Sequence, residues 1–223
     1  MNSEELEIKE ERRVVKKVPA NPIPQSMVEM FYYKLGEESK EFPGRNLALY
    51  KIALGTGYRM EDLTDLLIGD LKKAIENGFL EIQEKKQMDS WKTYIKKNPN
   101  SNRKPPKKRK VFIKSNLLRL LKDYTRGKRN SEYAFKSKQG GYISQKSYSE
   151  ILSKIGKSLD LKHISGHSLR KTYAHRIYER TGDIEKVRIN LGHKDLETTK
   201  RYLNVHESEV EKDSEIIDDM LDF

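Results

Sequence analysis

His167 and Arg170, in the last third of the chain, have the side-chain types and the spacing of an anion-binding site. In the segment HSLRKTY, Ser168 is predicted to cap a helix whose first turn carries Arg170. Two residues three apart on a helix point to the same side. An imidazole and a guanidinium placed in this way, at the positive end of a helix dipole, predict a site for an anion.

A second pair, His193 and Tyr202, lies nine residues apart in the segment LGHKDLETTKRYL. The sequence TGD at 181–183 is predicted to end one helix and cap the next, which stops at Gly192. Asp195 then caps a last short helix that carries Tyr202 about two turns from its start. Taken alone, this tyrosine is typical of a half-buried helix aromatic, so its chemistry depends on what surrounds it.

Composition restricts the possible classes of protein. Equal shares of hydrophobic and charged residues, 35% each, predict a soluble globular chain, and its 223 residues are enough for one sizeable domain or two small ones. No apolar run approaches the roughly 18 residues of a membrane span, and the N-terminus is charged where a signal peptide would be apolar. We therefore expect a cytoplasmic protein without a membrane partner. The absence of cysteine excludes thiol catalysis and cysteine-based zinc sites, so a covalent step must use another nucleophile.

The positive charge is concentrated in one part of the chain. The net charge is +11, but residues 206–223 hold eight acids against one lysine, which leaves +18 on residues 1–205. Between Lys85 and Arg129, seventeen lysines and arginines stand against two aspartates. Such a field predicts a polyanionic partner, most simply nucleic acid. A solvated basic loop is the alternative interpretation of the run NRKPPKKRK, and charge does not separate an enzyme from a coat or architectural protein.

The apolar pattern predicts a mainly α fold with a small antiparallel β-sheet (α+β). Apolar residues at helical spacing, with caps and glycine stops, indicate helices over 26–35, 45–57, 60–71 and 115–127 and several more in the last third. Residues 78–86 alternate as a strand does, and 110–113 reads as its partner. The segment between these strands is long, polar and proline-bearing, which predicts an extended basic insertion in the hairpin.

The motifs of the last third resemble those of the tyrosine recombinases, the phage integrase family. His167-x-x-Arg170, Gly192-His193 and Tyr202 follow the family's order, and the gaps of 23 residues between Arg170 and His193 and 9 between His193 and Tyr202 are similar to its common spacing. The sequence LGH followed by ETTKRYLNV is also similar to the corresponding motif of the family. The resemblance covers roughly residues 25–205.

An upstream segment, ALGTGYRMEDLTDLLIGDL, resembles the family's first arginine box and places Arg59 at the catalytic arginine. Asp62 stands where a glutamate is usual, and Lys171 stands where many relatives have histidine. The family also has a lysine on the hairpin. We assign it to Lys86, with Lys85 as the near alternative because the insertion 87–107 departs from the usual tight turn.

The resemblance implies the tyrosine recombinase catalytic-domain fold and site-specific recombination of DNA through a 3′-phosphotyrosyl intermediate, without metal, ATP or another cofactor. A phenol with a free pKa of about 10 needs help to attack at neutral pH. The implied roles are Tyr202 as nucleophile, Arg59 and Arg170 as the phosphate clamp, Lys86 as the acid for the departing 5′ oxygen, His167 as an acid/base aid to the tyrosine, and His193 as a further phosphate donor.

Double-stranded DNA is the expected partner, and the resemblance implies a homo-oligomer, a tetramer on DNA, in the cytoplasm in association with the nucleoid. The predicted DNA-contacting residues are Lys85, Lys92, Lys96, Lys97, Arg103, Lys104, Lys107, Lys108, Arg109 and Lys171. We expect three parts of the chain: a charged tail or linker over 1–24, the catalytic domain over 25–205, and an acidic helix or tail over 206–223. That last segment packs either on its own domain or on a neighbouring protomer.

Three other functions share parts of this pattern. A type IB topoisomerase uses the same chemistry without synapsis at a defined sequence, and a telomere resolvase is a rarer variant. A non-catalytic DNA-binding relative is the alternative from another class. Many family members also carry a helical DNA-clamping domain before the catalytic one, so this chain is expected to be either a compact recombinase or a catalytic fragment.

Overall fold

The computed structural model describes residues 18–204 and Asp218. This part of the chain is mostly helical with one two-stranded antiparallel sheet, as predicted from the apolar pattern. A 3-10 turn over Gln25–Met27 precedes the first helix. The α-helices are α1 (Val28–Glu38), α2 (Pro43–Thr56), α3 (Met60–Leu63), α4 (Ile68–Asn77), α5 (Lys85–Lys97), α6 (Ser115–Thr125), α7 (Gln145–Ser158), α8 (Gly166–Thr181), α9 (Ile184–Leu191) and α10 (Leu196–Leu203).

Helix α2 lies at the centre of the main hydrophobic core. Leu49, Ile52 and Ala53 are each no more than 1% exposed, and α1, α6 and α8 pack around the helix. The helix ends at Gly57, whose φ of 60° is a left-handed conformation that glycine adopts at little cost. The chain therefore leaves the core sharply and turns at once into the segment that carries the first arginine box.

The helix predicted over 60–71 is in fact two helices, α3 and α4. Leu67 adopts an extended conformation between them and forms an isolated bridge with Tyr133. The Leu67 N–H also donates to the Asp70 carboxylate, which starts a new helix at this point. The apolar residues continue at helical spacing across the break, so the periodicity alone concealed it.

The predicted hairpin is confirmed, with β1 over Phe79–Ile82 and β2 over Arg109–Phe112. The segment between them is a long basic insertion, as the sequence predicted, but its first half forms α5, which the sequence analysis did not predict. Met88, Trp91 and Ile95 recur at helical spacing and are partly buried along one side of this helix. Their signal is weak among many charged residues, which explains why the helix was missed.

Helices α8, α9 and α10 share a second, smaller core made by Ala174, Val187, Leu191 and Leu203. Asp183 and Asp195 cap α9 and α10 as predicted, each accepting hydrogen bonds from backbone N–H groups of the first turn. These caps and this core fix the orientation of α10 on α8.

The predicted cap of α8 is wrong by three residues. Ser165 is the N-cap, and Ser168 lies inside the first turn, where its hydroxyl accepts from the Ser165 N–H to complete a capping box. His167 therefore belongs to the helix itself and is not a residue that precedes it.

The first described residues belong to the predicted N-terminal tail or linker over 1–24. Within the predicted tail or linker, Ile23 is 2% exposed and its N–H donates to the Thr172 hydroxyl, so the chain at this residue packs on α8. Residues 1–17 lie outside the described residues, as does the predicted acidic segment 206–223 apart from Asp218. No helix of the described ranges has the length and apolar character needed to cross a membrane.

Candidate active site

Arg59 is placed by the turn that ends α2. Gly57 leaves the helix, and Arg59 adopts an extended conformation as the N-cap of α3. A side chain at Gly57 would not fit, because a Cβ there would lie 2.3 Å from the Tyr173 ring. The side chain of Arg59 is 12% exposed, and its Nη1 atom is buried, so the turn holds this guanidinium in a largely enclosed position.

Arg170 is 1% exposed and is fixed by three acceptors. It donates to the carbonyl oxygens of Gly57 and Leu191, both at 2.7 Å, and its Nη1 lies 3.0 Å from Oε1 of Glu84. Burial, followed by the charge of Arg59, lowers the pKa of Arg170 to about 10, so it stays protonated at neutral pH. Backbone from the end of α2 and from the end of α9 therefore orients this guanidinium.

Glu84 is the buried carboxylate on which the arginines converge. It is 1% exposed, and its Oε1 lies 3.0 Å from Nη1 of Arg59, 3.0 Å from Nη1 of Arg170 and 3.4 Å from Nε of Arg109. Its Oε2 accepts from the Gln87 amide at 2.7 Å. One buried anion among three cations reduces their mutual repulsion and leaves an excess of positive charge. The cluster is thus prepared for a further anion.

Arg109, which the sequence analysis grouped with the DNA-contacting cations, has a buried side chain in the structure. Its side chain is 8% exposed, it donates to the carbonyls of Thr56 and Asn190, and its guanidinium lies 3.7 Å from the centroid of the Tyr58 ring. Burial lowers its pKa, and Glu84 opposes that effect. Arg109 joins the sheet to α2 and α9 beneath the site.

Tyr202 lies within the cluster formed by its own chain. Its ring makes edge contacts with His193 and His167, with centroid distances of 5.5 Å and 6.1 Å. Its phenol oxygen is buried and has no hydrogen-bond partner among the described residues. Burial raises the pKa of Tyr202 to about 12, although the charges of Arg170 and Arg59 act in the opposite direction. The phenol is therefore protonated at neutral pH, and its oxygen lies close to the charge of Arg170.

Both histidines of the cluster are neutral at pH 7. Burial, followed by the charges of Arg170 and Arg59, lowers the pKa of His193 to about 4, and its Nδ1 lies 3.0 Å from the Thr199 hydroxyl. Packing around the ring and the same two arginines lower the pKa of His167, which lies on the exposed side of the cluster. A neutral imidazole can accept a proton, which a protonated one cannot.

The two lysines at the start of α5 have different environments. Lys85 points away from the cluster: its ammonium group pairs with Asp65 at 2.8 Å and donates to the Glu61 carbonyl. Lys86 is exposed, and its charge contributes to the lowered pKa of His167, so it lies near the cluster. This geometry favours Lys86 over Lys85 as the hairpin lysine.

Lys171 does not occupy the exposed position that a DNA-contacting lysine would be expected to have. It is 7% exposed, its ammonium nitrogen lies 5.5 Å from the centroid of the Tyr202 ring, and burial lowers its pKa. The position where many relatives have histidine is thus filled by a cation packed beside the tyrosine.

The other predicted DNA-contacting cations do lie on the surface. Trp91 donates to the Arg103 carbonyl, and the Arg103 guanidinium stacks on the Tyr94 ring at 4.7 Å, so α5 and the returning chain are tied together. The insertion is therefore a folded basic arm that begins beside the cluster. Its exposed cations are Lys92, Lys96, Lys97, Arg103, Lys104, Lys107 and Lys108.

The comparison with known proteins gives the family. The sequence model of the phage integrase family matches residues 25–209, most of the chain. The chain belongs to this family. YoeC of Bacillus subtilis, a probable integrase/recombinase, is 28% identical over 164 residues, which are 73% of this chain and 79% of YoeC. Tyrosine recombinase XerA of Pyrococcus furiosus is 29% identical over 193 residues, which are 85% of this chain and 60% of XerA.

Solved structures of the phage integrase family share the fold. The crystal structure of XerA recombinase matches with a TM-score of 0.59 at 18% identity, over 84% of this chain and 60% of that one. The Tn1549 transposon integrase in complex with circular intermediate DNA matches with a TM-score of 0.62 at 16% identity, over 88% of this chain and 67% of that one. This chain thus spans about three fifths to two thirds of these structures. The likeness confirms the tyrosine recombinase catalytic-domain fold.

Within this phage integrase fold, five of the six predicted catalytic residues form one cluster, and the sixth, Lys86, stands at its edge; their roles stay a prediction. Sequence reasoning missed Glu84 and Thr199. Leu80 and Ile82 alternate along β1, and Glu84 continues that alternation two residues after the strand ends. All three are buried, so the pattern carried a signal for a buried carboxylate that requires cationic partners. Over the described residues, no group of three or more acidic or histidine side chains is placed to hold a metal ion.

Proposed function

We propose that this protein is a site-specific DNA recombinase that cuts and rejoins strands through a covalent 3′-phosphotyrosyl intermediate. The observation that carries the proposal is the unpartnered phenol of Tyr202, buried beside two neutral histidines and the arginine pair Arg59 and Arg170. A scissile phosphate placed between the arginines and the phenol meets a nucleophile and a charge clamp together.

In the cleavage step, the Tyr202 oxygen forms a bond to phosphorus and the bond from phosphorus to the 5′ oxygen breaks. The phenol proton passes to the neutral His167, and the departing 5′ oxygen takes a proton from Lys86. Arg59 and Arg170 stabilise the charge on the non-bridging oxygens, and Glu84 holds both guanidiniums in place before DNA arrives. Since the phosphotyrosine keeps the energy of the broken bond, rejoining needs no ATP.

Incubation with a nicked suicide DNA tests this function. The DNA carries the recombination site, for which inverted repeats flanking the gene are the first candidates. We expect a protein–DNA adduct that persists on denaturing electrophoresis. The short fragment between the cleavage point and the nick diffuses away with its 5′ hydroxyl, so the strand cannot be rejoined. Absence of an adduct on a site that the protein demonstrably binds would contradict the enzymatic function.

The general acid is tested by comparing two alanine variants. Lys86→Ala is expected to lower the single-turnover cleavage rate by about 10²- to 10⁴-fold. Lys85→Ala, the matched control, is expected to lose less than tenfold, because that ammonium group is paired with Asp65. A substrate with sulfur in place of the departing oxygen should restore cleavage by Lys86→Ala, since a thiolate leaves without a proton. The reverse pattern would assign the role to Lys85.

The exposed basic arm supports a second part of the proposal, that α5 and the chain that follows it bind the DNA backbone. Replacing Lys92, Lys96 and Lys97 together with glutamine should weaken DNA binding. The dependence of log affinity on log salt should also flatten, by about 0.9 for each phosphate that the variant no longer neutralises.

The matched control for the arm replaces three lysines that are already paired with acids, namely Lys34, Lys138 and Lys154. This control removes the same amount of charge, and we expect it to leave the salt slope unchanged. Equal slopes for the arm variant and the wild type would show that the arm does not touch phosphates.

The finer parts of the proposal concern assembly and location. We infer that protomers bind double-stranded DNA as a tetramer and that the protein acts in the cytoplasm at the nucleoid. The positive excess of the described domain supports a nucleic-acid partner. Light scattering of the protein with and without its DNA site measures the assembly, and a single protomer on paired sites would contradict it.

A further inference from the structure

Thr199 and His193 form a buried pair inside the cluster. Thr199 is 0% exposed, His193 is 9% exposed, and the threonine Oγ1 lies 3.0 Å from Nδ1 of the imidazole. Distance alone does not say which atom donates the hydrogen. The direction matters because it decides which ring nitrogen of His193 carries a hydrogen toward the substrate.

The other helical threonines show what is unusual about Thr199. Five of them donate their hydroxyl hydrogen to the carbonyl four residues earlier, as expected for threonine within a helix; they are Thr56, Thr93, Thr125, Thr172 and Thr181. The Thr199 hydroxyl makes no such bond to the carbonyl of Asp195, the N-cap of α10, and lies instead against His193. Within the described part of the chain, His193 Nδ1 is the acceptor available to its hydroxyl.

A fully buried hydroxyl without an acceptor is destabilising, because it has lost its water partner and gained none, so the hydrogen of Thr199 is directed at Nδ1. Nδ1 then carries a lone pair, and the hydrogen of the neutral ring resides on Nε2. The opposite arrangement would place a hydrogen on Nδ1 and leave the buried threonine hydrogen without a partner. The first arrangement therefore satisfies both groups and the second does not.

We propose that Thr199 is a positioning residue that fixes His193 in the Nε2–H tautomer and so makes the imidazole a hydrogen-bond donor to the scissile phosphate. This inference rests on the proposed function for its catalytic meaning. It separates the two histidines: His167 accepts the phenol proton, and His193 donates to phosphate without changing its protonation state. Because α10 carries both Thr199 and Tyr202, docking of that helix sets the nucleophile and the tautomer together.

The experiment compares Thr199→Val, which removes the hydroxyl but keeps the shape, with Thr199→Ser, which keeps the hydroxyl. Nitrogen-15 NMR of histidine-labelled protein, without DNA, reports the tautomer of His193, and His193→Gln assigns its signals. We expect the Nε2–H form in the wild type and the serine variant and a mixture that includes Nδ1–H in the valine variant.

On suicide DNA, the valine variant is expected to cleave about 10- to 100-fold more slowly with unchanged DNA affinity, and the serine variant is expected to restore the rate. Circular dichroism verifies that both variants fold. An Nδ1–H ring in the wild type would overturn the proposal, as would a valine variant that keeps both the tautomer and the rate. If no DNA is cut but the tautomer shifts as expected, the proposed function fails while the role of Thr199 in fixing the ring stands.

Discussion

Tyr202→Phe is expected to abolish the covalent protein–DNA adduct and to leave DNA binding intact. The substitution removes one oxygen, which is the proposed nucleophile, and the chain has no cysteine that could replace it. The phenol makes no hydrogen bond to the described residues, so its loss leaves no partner unsatisfied. We therefore expect unchanged thermal stability together with an adduct below detection in denaturing electrophoresis.

Tyr173→Phe is the matched control for this experiment. Tyr173 also lies near the cluster, but its hydroxyl donates to the Asn190 side chain, which places it in a structural hydrogen bond. Its variant should still form the adduct. An adduct that persists in Tyr202→Phe would show that another residue attacks the phosphate.

Arg170→Lys is expected to lower the cleavage rate by about 10²- to 10³-fold, even though it preserves the charge. The guanidinium satisfies three fixed acceptors at once, and a lysine ammonium group cannot reproduce that planar geometry. The carbonyls of Gly57 and Leu191 would lose a donor in the buried site, so we also expect the free energy of unfolding to fall by about 1 to 3 kcal/mol.

Single-turnover cleavage at a temperature where the variant is folded separates chemistry from stability in this test. Arg126→Lys is a suitable control, since that guanidinium is 79% exposed and pairs with Asp123. The control should match the wild type in both rate and stability. A folded Arg170→Lys that cleaves at the wild-type rate would remove Arg170 from the phosphate clamp.

The residues of the site were predictable from the sequence to the extent that local rules place them. Caps at Asp183 and Asp195 and the left-handed Gly192 fix the last helices, and they bring His193 and Tyr202 to the same place. These are short-range effects, so spacing along the chain is a faithful guide to position. The hairpin was predictable for the same reason, because alternation is also a local pattern.

What the sequence did not reveal depends on contacts between distant segments. In the sequence, Arg109 is one more cation of a basic run. In the fold, its side chain pairs with Glu84, 25 residues earlier, and donates to the carbonyl of Asn190, 81 residues later. Thr199 was one of two adjacent threonines, and the difference between them lies in burial, which depends on how α10 packs. The apolar side of α5 was likewise not recognised, because its few apolar residues stand among many lysines.

The residue to which DNA becomes attached is the sharpest test of the proposed mechanism. The covalent adduct formed on suicide DNA is digested with nuclease and protease, and the peptide that carries the residual nucleotide is sequenced by mass spectrometry. We predict a 3′-phosphate ester on Tyr202, within the segment LGHKDLETTKRYL. A modification on any other residue, or a 5′-phosphate linkage, would contradict the proposed mechanism.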